Sequence, residues 1–137
     1  MNRRVACLLL LSVCVAQSLG CSPASERDRN AWREAREKRH VDSVVAIISA
    51  VVDRIKRYAD EVGSSAAQSC YDESRQLLLL DLSSNGEEEV RRCIESADTE
   101  LIADECCYEL QSLIGEESMK VALAATSCID KARLSYR

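Results

Sequence analysis

The 137-residue sequence contains no phenylalanine, and it has only one tryptophan, one proline, one histidine and four glycines. Without phenylalanine, a hydrophobic core must rely on leucine, valine, isoleucine and alanine, which bury less surface per side chain than aromatic residues do. Such a core favours additional covalent support. Because glycine and proline are so scarce, each of them is a strong candidate for a helix boundary.

The sequence also lacks the patterns that mark common catalytic and metal sites. His40 is the only imidazole, and no cysteine or serine stands at a spacing that would make it the base of a nucleophilic site. There is no CxxC pair, which argues against a zinc site. A phosphate-binding glycine loop, an EF-hand loop and a nucleophile elbow are missing as well. We therefore expect no enzyme activity, no metal and no cofactor.

Positive charge is scarcer than negative charge, with 18 basic and 23 acidic residues and a net charge of −5. This balance argues against nucleic acid and anionic membrane surfaces as main partners. A membrane-spanning helix takes about 20 apolar residues. The best candidate after the first twenty residues, residues 41–52, is too short and contains Asp42. We therefore expect no transmembrane segment.

Residues 1–20 have the three-part pattern of a secretory signal peptide. Arg3 and Arg4 provide the positive start, residues 5–16 form an uncharged apolar stretch, and small residues precede Cys21. We place the cleavage after Gly20, which leaves 16 basic and 23 acidic residues, a net charge near −7. An alternative interpretation is a bacterial lipobox, in which Cys21 would carry a lipid anchor.

The remaining residues, roughly 115 in number, suit one domain. We predict a charged N-terminal arm or helix start over residues 21–40 and a helical, cysteine-containing domain over residues 41–137. Apolar residues recur there at helical spacing, which predicts an all-α, up-and-down helical bundle of about four helices. The four leucines at 77–80 indicate a helix that is buried on more than one side.

Glycines predict where the helices end. Gly63, Gly86 and Gly115 each precede serines or glutamates of the kind that begin helices. His40 is the place where the first helix could break. The predicted helices span residues 24–62, 66–83, 87–114 and 116–135.

Six cysteines follow the signal peptide, and an even number in a small exported domain predicts three disulfides. With turns at Gly86 and Gly115, four of these cysteines share one level of the bundle and Cys93 stands apart. Cys93 is then left for the N-terminal arm. The predicted pairs are Cys21–Cys93, with Cys106 and Cys107 divided between Cys70 and Cys128 in either order.

The N-terminal arm holds two further motifs. Arg36, Lys38 and Arg39 match the basic pattern that furin-like proteases cut, so cleavage after Arg39 is one interpretation. The other is a helix whose mixed charges pair four residues apart. Trp32 lies among arginines, where it could form a contact site or stack under an arginine.

The small side chains of the core leave room for a gap between helices. Small apolar ligands would then enter near residues 77–80 and 44–52. The alternative is a core that is packed throughout.

The chain resembles a family of insect secreted proteins, the tsetse EP-type domain, over roughly residues 60–135. The segments that begin at Cys93 and Cys128 both read cysteine, apolar residue, two variable residues, small residue, and Cys107-Tyr108 follows the first of them. The resemblance implies a secreted helical protein of no established chemistry, with no catalytic residues to carry over.

Taken together, the sequence predicts a secreted, non-enzymatic helical protein that binds an extracellular protein partner or a small apolar ligand. One alternative is a hormone-like or venom-like factor released by cleavage after Arg39. The other is an envelope protein anchored by lipid on Cys21.

Overall fold

The described part of the chain is helical from end to end. The computed structural model describes residues 23–135, with side chains from residue 26 onward, and it contains no β-strand within that range. The predicted all-α class and the number of helices are confirmed. The elements are α1 (Pro23–Val62), α2 (Ser65–Gln76), a π-helical segment (Leu77–Leu82), α3 (Ser83–Ser96) and α4 (Glu100–Leu134). The predicted signal peptide, the cleavage residue Gly20 and Cys21 lie outside the described residues.

The chain divides into two compact units between Glu34 and Ala35. In the first unit, the described residues form the beginning of α1. There the guanidinium carbon of Arg33 lies 5.4 Å from the centroid of the Trp32 ring, which is cation–π geometry. Trp32 therefore stacks with an arginine, as one of its two interpretations predicted.

In the second unit, α2, the π-helical segment and α3 form one continuous helical rod. The other two rods are α1 and α4, and the three pack side by side. Arg36 near the start of the unit contacts Glu100 at the start of α4, and Tyr58 near the end of α1 contacts Asp130 near the end of α4. Helices α1 and α4 therefore run parallel, and the rod between them runs antiparallel to both. The arrangement is an up-down-up bundle.

Two of the three predicted glycine boundaries are wrong. Gly63 does end α1, with a positive φ of 69° that favours glycine, but Gly86 and Gly115 lie inside α3 and α4. Glycine costs a helix interior only about 1 kcal/mol relative to alanine, which packing can outweigh. The predicted break near His40 is also absent, since α1 is continuous and His40 is buried within it.

At Gly86 the missing side chain has a packing role. A Cβ atom there would lie 2.8 Å from Ile114 Cδ1 and 3.0 Å from Val44 Cγ1, closer than such atoms normally approach. Gly86 is thus where α3 contacts both α1 and α4. At Gly115, a Cβ atom would meet nothing within 4 Å.

The leucine run at 77–80 is less buried than predicted. Leu78 is fully buried, whereas Leu77 and Leu80 are exposed. Buried residues recur every three or four positions up to Leu78, but the next one is Ser83, five positions on. In a regular α-helix a five-residue step would turn the buried face by about 140°. The π-helical turn, in which the Ser83 N–H donates to the Leu78 carbonyl, absorbs the extra residue and keeps both halves of the rod facing the core.

The disulfide pairs differ from those predicted. Cys93 pairs with Cys106 and Cys70 with Cys128, with Cα–Cα distances of 5.7 and 5.9 Å, and Cys107 is a buried free thiol. The prediction failed because it assumed a turn at Gly115. With α4 continuous, Cys106 and Cys128 lie about 33 Å apart along one helix, so they reach opposite ends of the antiparallel rod. In the chain-entropy view, the bridges contribute about 3 and about 4 kcal/mol.

The two helical glycines form a matched test of the packing. Gly115→Ala should raise the free energy of unfolding by about 0.5–1 kcal/mol, because alanine is the better helix former and the site is open. Gly86→Ala should lower it by about 1–2 kcal/mol, because the clash with Val44 and Ile114 exceeds that gain. Urea unfolding of both variants measures the difference, and equal stabilisation by both would contradict the close approach at Gly86.

A second test concerns the cysteines. A non-reducing peptide map should recover Cys70 with Cys128 and Cys93 with Cys106. Burial, together with the negative charge of Asp104, raises the pKa of the Cys107 thiol to about 11, and the thiolate is the reactive form. Cys107 should therefore resist iodoacetamide at about pH 8 in the native protein and react after denaturation. A bridge involving Cys107 would refute this pairing.

Candidate functional site

Two features lie between α1 and α4. The first, which we call the His40 cluster, comprises Arg36, Arg39, His40, Asp104 and Gln111. The second, the α1–α4 groove, is formed further along the same pair of helices. The residues that line it are Arg54, Ile55, Arg57, Tyr58, Glu61, Met119, Ala122, Leu123 and Thr126.

The imidazole of His40 is only 1% exposed, and both of its nitrogens have partners. Nε2 lies 2.7 Å from Asp104 Oδ1, and the amide nitrogen of Gln111 lies 2.8 Å from Nδ1. Both ring nitrogens are therefore engaged by groups of α4, Nε2 by a carboxylate and Nδ1 by an amide. The Tyr108 ring packs edge-on at 5.3 Å between centroids.

Asp104 is the centre of the cluster. It accepts hydrogen bonds from Arg36 at 2.5 Å and from Arg39 at 2.7 Å, and Arg36 also pairs with Glu100. Burial by itself would raise the pKa of Asp104, but the hydrogen bonds from His40 and Arg39 and the positive charges of Arg36 and Arg39 outweigh it and lower that pKa below its usual value. The cluster therefore holds an ionised carboxylate between two arginines.

The basic residues of the predicted processing motif form two kinds of ion pair. Arg36 and Arg39 bind Asp104 on another helix, whereas exposed Lys38 pairs with Asp42 at 2.6 Å, four residues along α1. Only the second arrangement was foreseen. The signal for the first is a matching spacing, since Glu100 and Asp104 stand one turn apart, as Arg36 and Arg39 do.

The His40 cluster joins α1 to α4 through its own side chains. Every polar side chain in it is engaged by another, and the raised pKa of the neighbouring Cys107 thiol disfavours the thiolate that a nucleophile requires. Across residues 23–135, no group of three or more histidine, cysteine or acidic side chains is placed to hold a metal ion. The geometry is that of a polar contact fastening α1 to α4.

The α1–α4 groove has a volume of about 380 Å³ and is open to solvent along one side. Each wall uses one face of a helix: residues recur at intervals of three and four along α1 and again along α4. Ile55 and Ala122 are buried and form the floor, while Met119 and Leu123 are 42% and 67% exposed at the rim. Exposed apolar side chains beside a buried apolar floor are typical of a ligand site.

Tyr58, on the α1 wall of the groove, donates a hydrogen bond from its hydroxyl to Asp130 of α4. This bond, with burial and the charge of Asp130, raises the pKa of the Tyr58 phenol, which stays protonated. The Tyr58 hydroxyl therefore joins α1 to α4 beside the groove.

The groove does not lie where the sequence predicted a ligand to enter. Val44 and Ile48, within the predicted 44–52 segment, are completely buried in the core. The hollows beside residues 77–80 are lined only by residues 72–81, so they lie on the outside of one rod and not between helices. Val44, at one end of the predicted entry, packs closely against Gly86.

Comparisons with known proteins add no relative. No family model, no curated protein and no solved structure matches this chain. The resemblance to the tsetse EP-type domain accordingly stays a prediction. Within residues 23–135, no helix combines the length and hydrophobicity that crossing a bilayer requires.

The role of Asp104 can be tested by pH. Asp104→Asn should lower the free energy of unfolding near pH 7 by about 1.5–3 kcal/mol, the range for hydrogen bonds to charged groups. Because the pKa of Asp104 is lower in the folded state, its contribution is present above about pH 4 and lost as the pH falls further. The deficit of the variant should therefore shrink in acid.

Thermal unfolding followed by circular dichroism at pH 7 and in acid measures this effect. Asp42→Asn is the matched control, because the exposed Lys38–Asp42 pair should contribute no more than about 0.5 kcal/mol. An Asp104→Asn deficit that persists unchanged in acid would rule out this account of the carboxylate.

Proposed function

We propose that this chain is an exported, non-enzymatic protein that binds a small apolar ligand in the α1–α4 groove. The observation that carries the proposal is the groove itself. Its volume of about 380 Å³ falls in the range of about 300–1,000 Å³ typical of small-molecule sites. Its apolar rim, Met119 and Leu123, is exposed to solvent without a ligand, so covering it would be favourable.

Export is supported by the predicted signal peptide and by the two disulfides. Disulfides such as Cys70–Cys128 and Cys93–Cys106 persist in oxidising compartments and are rare where thiols are kept reduced. A binding role without catalysis is supported by the His40 cluster, in which the ionisable groups are used to join two helices.

The alternative of cleavage after Arg39 has less support. Proteolysis favours exposed loop tips, whereas Arg36 and Arg39 lie inside the continuous helix α1 and bind Asp104. Cleavage after Arg39 would place Arg36 and Arg39 on one fragment and His40 on the other, although all three contact Asp104. The lipid-anchor alternative concerns Cys21, which lies outside the described residues.

The groove can be tested with N-phenyl-1-naphthylamine, an uncharged apolar dye whose fluorescence rises on binding. The full chain should bind the dye, and Leu123→Glu should weaken binding by about tenfold or more, since covering an exposed leucine side chain completely contributes about 1.5–3 kcal/mol. Leu101→Glu is the control: Leu101 is also on α4 and 69% exposed, against 67% for Leu123, but it lies outside the groove.

The control variant should bind like the parent chain. Absence of dye binding to the parent chain would count against the proposal, as would equal weakening by the two substitutions. Because both positions are exposed, neither change should unfold the bundle, and circular dichroism checks this.

A further inference from the structure

We propose that the ligand of the α1–α4 groove is an anionic amphiphile, whose aliphatic chain lies along the apolar wall of α4 and whose negative head is bound by Arg54 and Arg57. This inference rests on the proposed function, and it adds the chemical class of the ligand. It is carried by the juxtaposition of two arginines with an apolar floor.

The lining of the groove is positively charged in a chain that is acidic overall. Of the nine lining residues, Arg54 and Arg57 are basic and Glu61 is the only acid, whereas the whole sequence has a net charge of −5. Local charge of the opposite sign to the rest of the protein favours and steers an anionic ligand.

Neither arginine is neutralised by the described part of the chain. Arg36, Arg39, Arg91 and Arg92 each pair with a carboxylate. By contrast, within residues 23–135 no ion pair is formed by Arg54 or Arg57. The Nε–H of Arg57 donates to the Asp53 carbonyl at 3.4 Å, which leaves the two terminal nitrogens of its guanidinium for a ligand.

The two charges are also placed to act on one head group. Arg54 and Arg57 are three residues apart, so they stand on the same wall within about 5 Å of each other along the helix axis. Guanidinium groups bind carboxylate, sulfate or phosphate oxygens through paired hydrogen bonds. Glu61 lies nearly two turns further along α1 from Arg54, so the wall changes from positive to negative along its length.

The apolar part of the ligand has its own surface. Met119, Ala122 and Leu123 lie opposite the arginines on α4, over the buried side chain of Ile55. A flexible aliphatic chain fits a half-open apolar groove of about 380 Å³, and each methylene it buries contributes about 0.8 kcal/mol. Tail and head would thus be recognised by opposite walls.

The test compares three ligands with the same twelve-carbon chain: dodecanoate, dodecan-1-ol and dodecyltrimethylammonium. Each is titrated at neutral pH, below its micelle concentration, against the full chain carrying bound N-phenyl-1-naphthylamine. Dodecanoate should displace the dye at about tenfold lower concentration than the alcohol, and the cation should be weakest. Raising the salt concentration should weaken dodecanoate more than the alcohol.

The arginines are tested by the double variant Arg54→Gln/Arg57→Gln. It should bind dodecanoate and dodecan-1-ol about equally, with the affinity for the alcohol unchanged. The control is Arg75→Gln on α2, another arginine without an ion pair in the described residues, and it should keep the preference for the acid.

The outcomes distinguish a failure of this inference from a failure of the proposed apolar binding site. Equal displacement by all three ligands overturns the anionic head and leaves the apolar groove. Dye binding that none of the three ligands displaces overturns the amphiphile and leaves the apolar groove, whereas no dye binding at all overturns both. A preference for dodecanoate that survives in the double variant overturns the assignment to Arg54 and Arg57.

Discussion

The register of the bundle depends on the contact of Gly86 with Val44 and Ile114. Because Gly86 has no side chain, those of Val44 and Ile114 pack directly against the backbone of α3, and this contact fixes which residues of α1 and α4 stand side by side. His40 then meets Gln111, one turn from Val44 and Ile114 in the same direction, and Tyr58 meets Asp130 in the other direction. The His40 cluster and the α1–α4 groove both lie along this parallel pair of helices.

The three rods are joined by different means. Cys70–Cys128 and Cys93–Cys106 connect α4 to the antiparallel rod near both ends, so this pair is held covalently. Among the described residues, α1 is attached by core packing and by polar contacts such as that of Arg36 and His40 with Asp104. The groove lies between α1 and α4, where apolar side chains remain exposed because no other helix within residues 23–135 lines it.

Helix boundaries were predictable where a residue has a specific backbone role, such as a left-handed glycine or a serine N-cap. The left-handed glycine at Gly63 ends α1 as expected, and Ser64 begins α2 by accepting a hydrogen bond from the Ala67 N–H. The same reasoning failed at Gly86 and Gly115, because a single glycine costs too little to end a helix whose other residues are packed against the neighbouring helices. The turns assumed at Gly86 and Gly115 gave wrong positions of the cysteines along the bundle axis. The predicted disulfide pairs were therefore wrong as well.

The sequence by itself determined the all-α class, the approximate number of helices and the cysteines available for disulfides, because these follow from composition and from periodicity along the chain. Only the tertiary structure decided that α4 is continuous, that Cys107 stays a free buried thiol, and that Asp104 binds Arg36, Arg39 and His40. It also decided where the groove lies, since Arg54 and Leu123 are far apart in sequence and line one groove only because α1 and α4 pack side by side. Such contacts depend on how the three rods are aligned along one another. That alignment comes from close packing between segments that are distant in sequence, and local sequence patterns do not predict it.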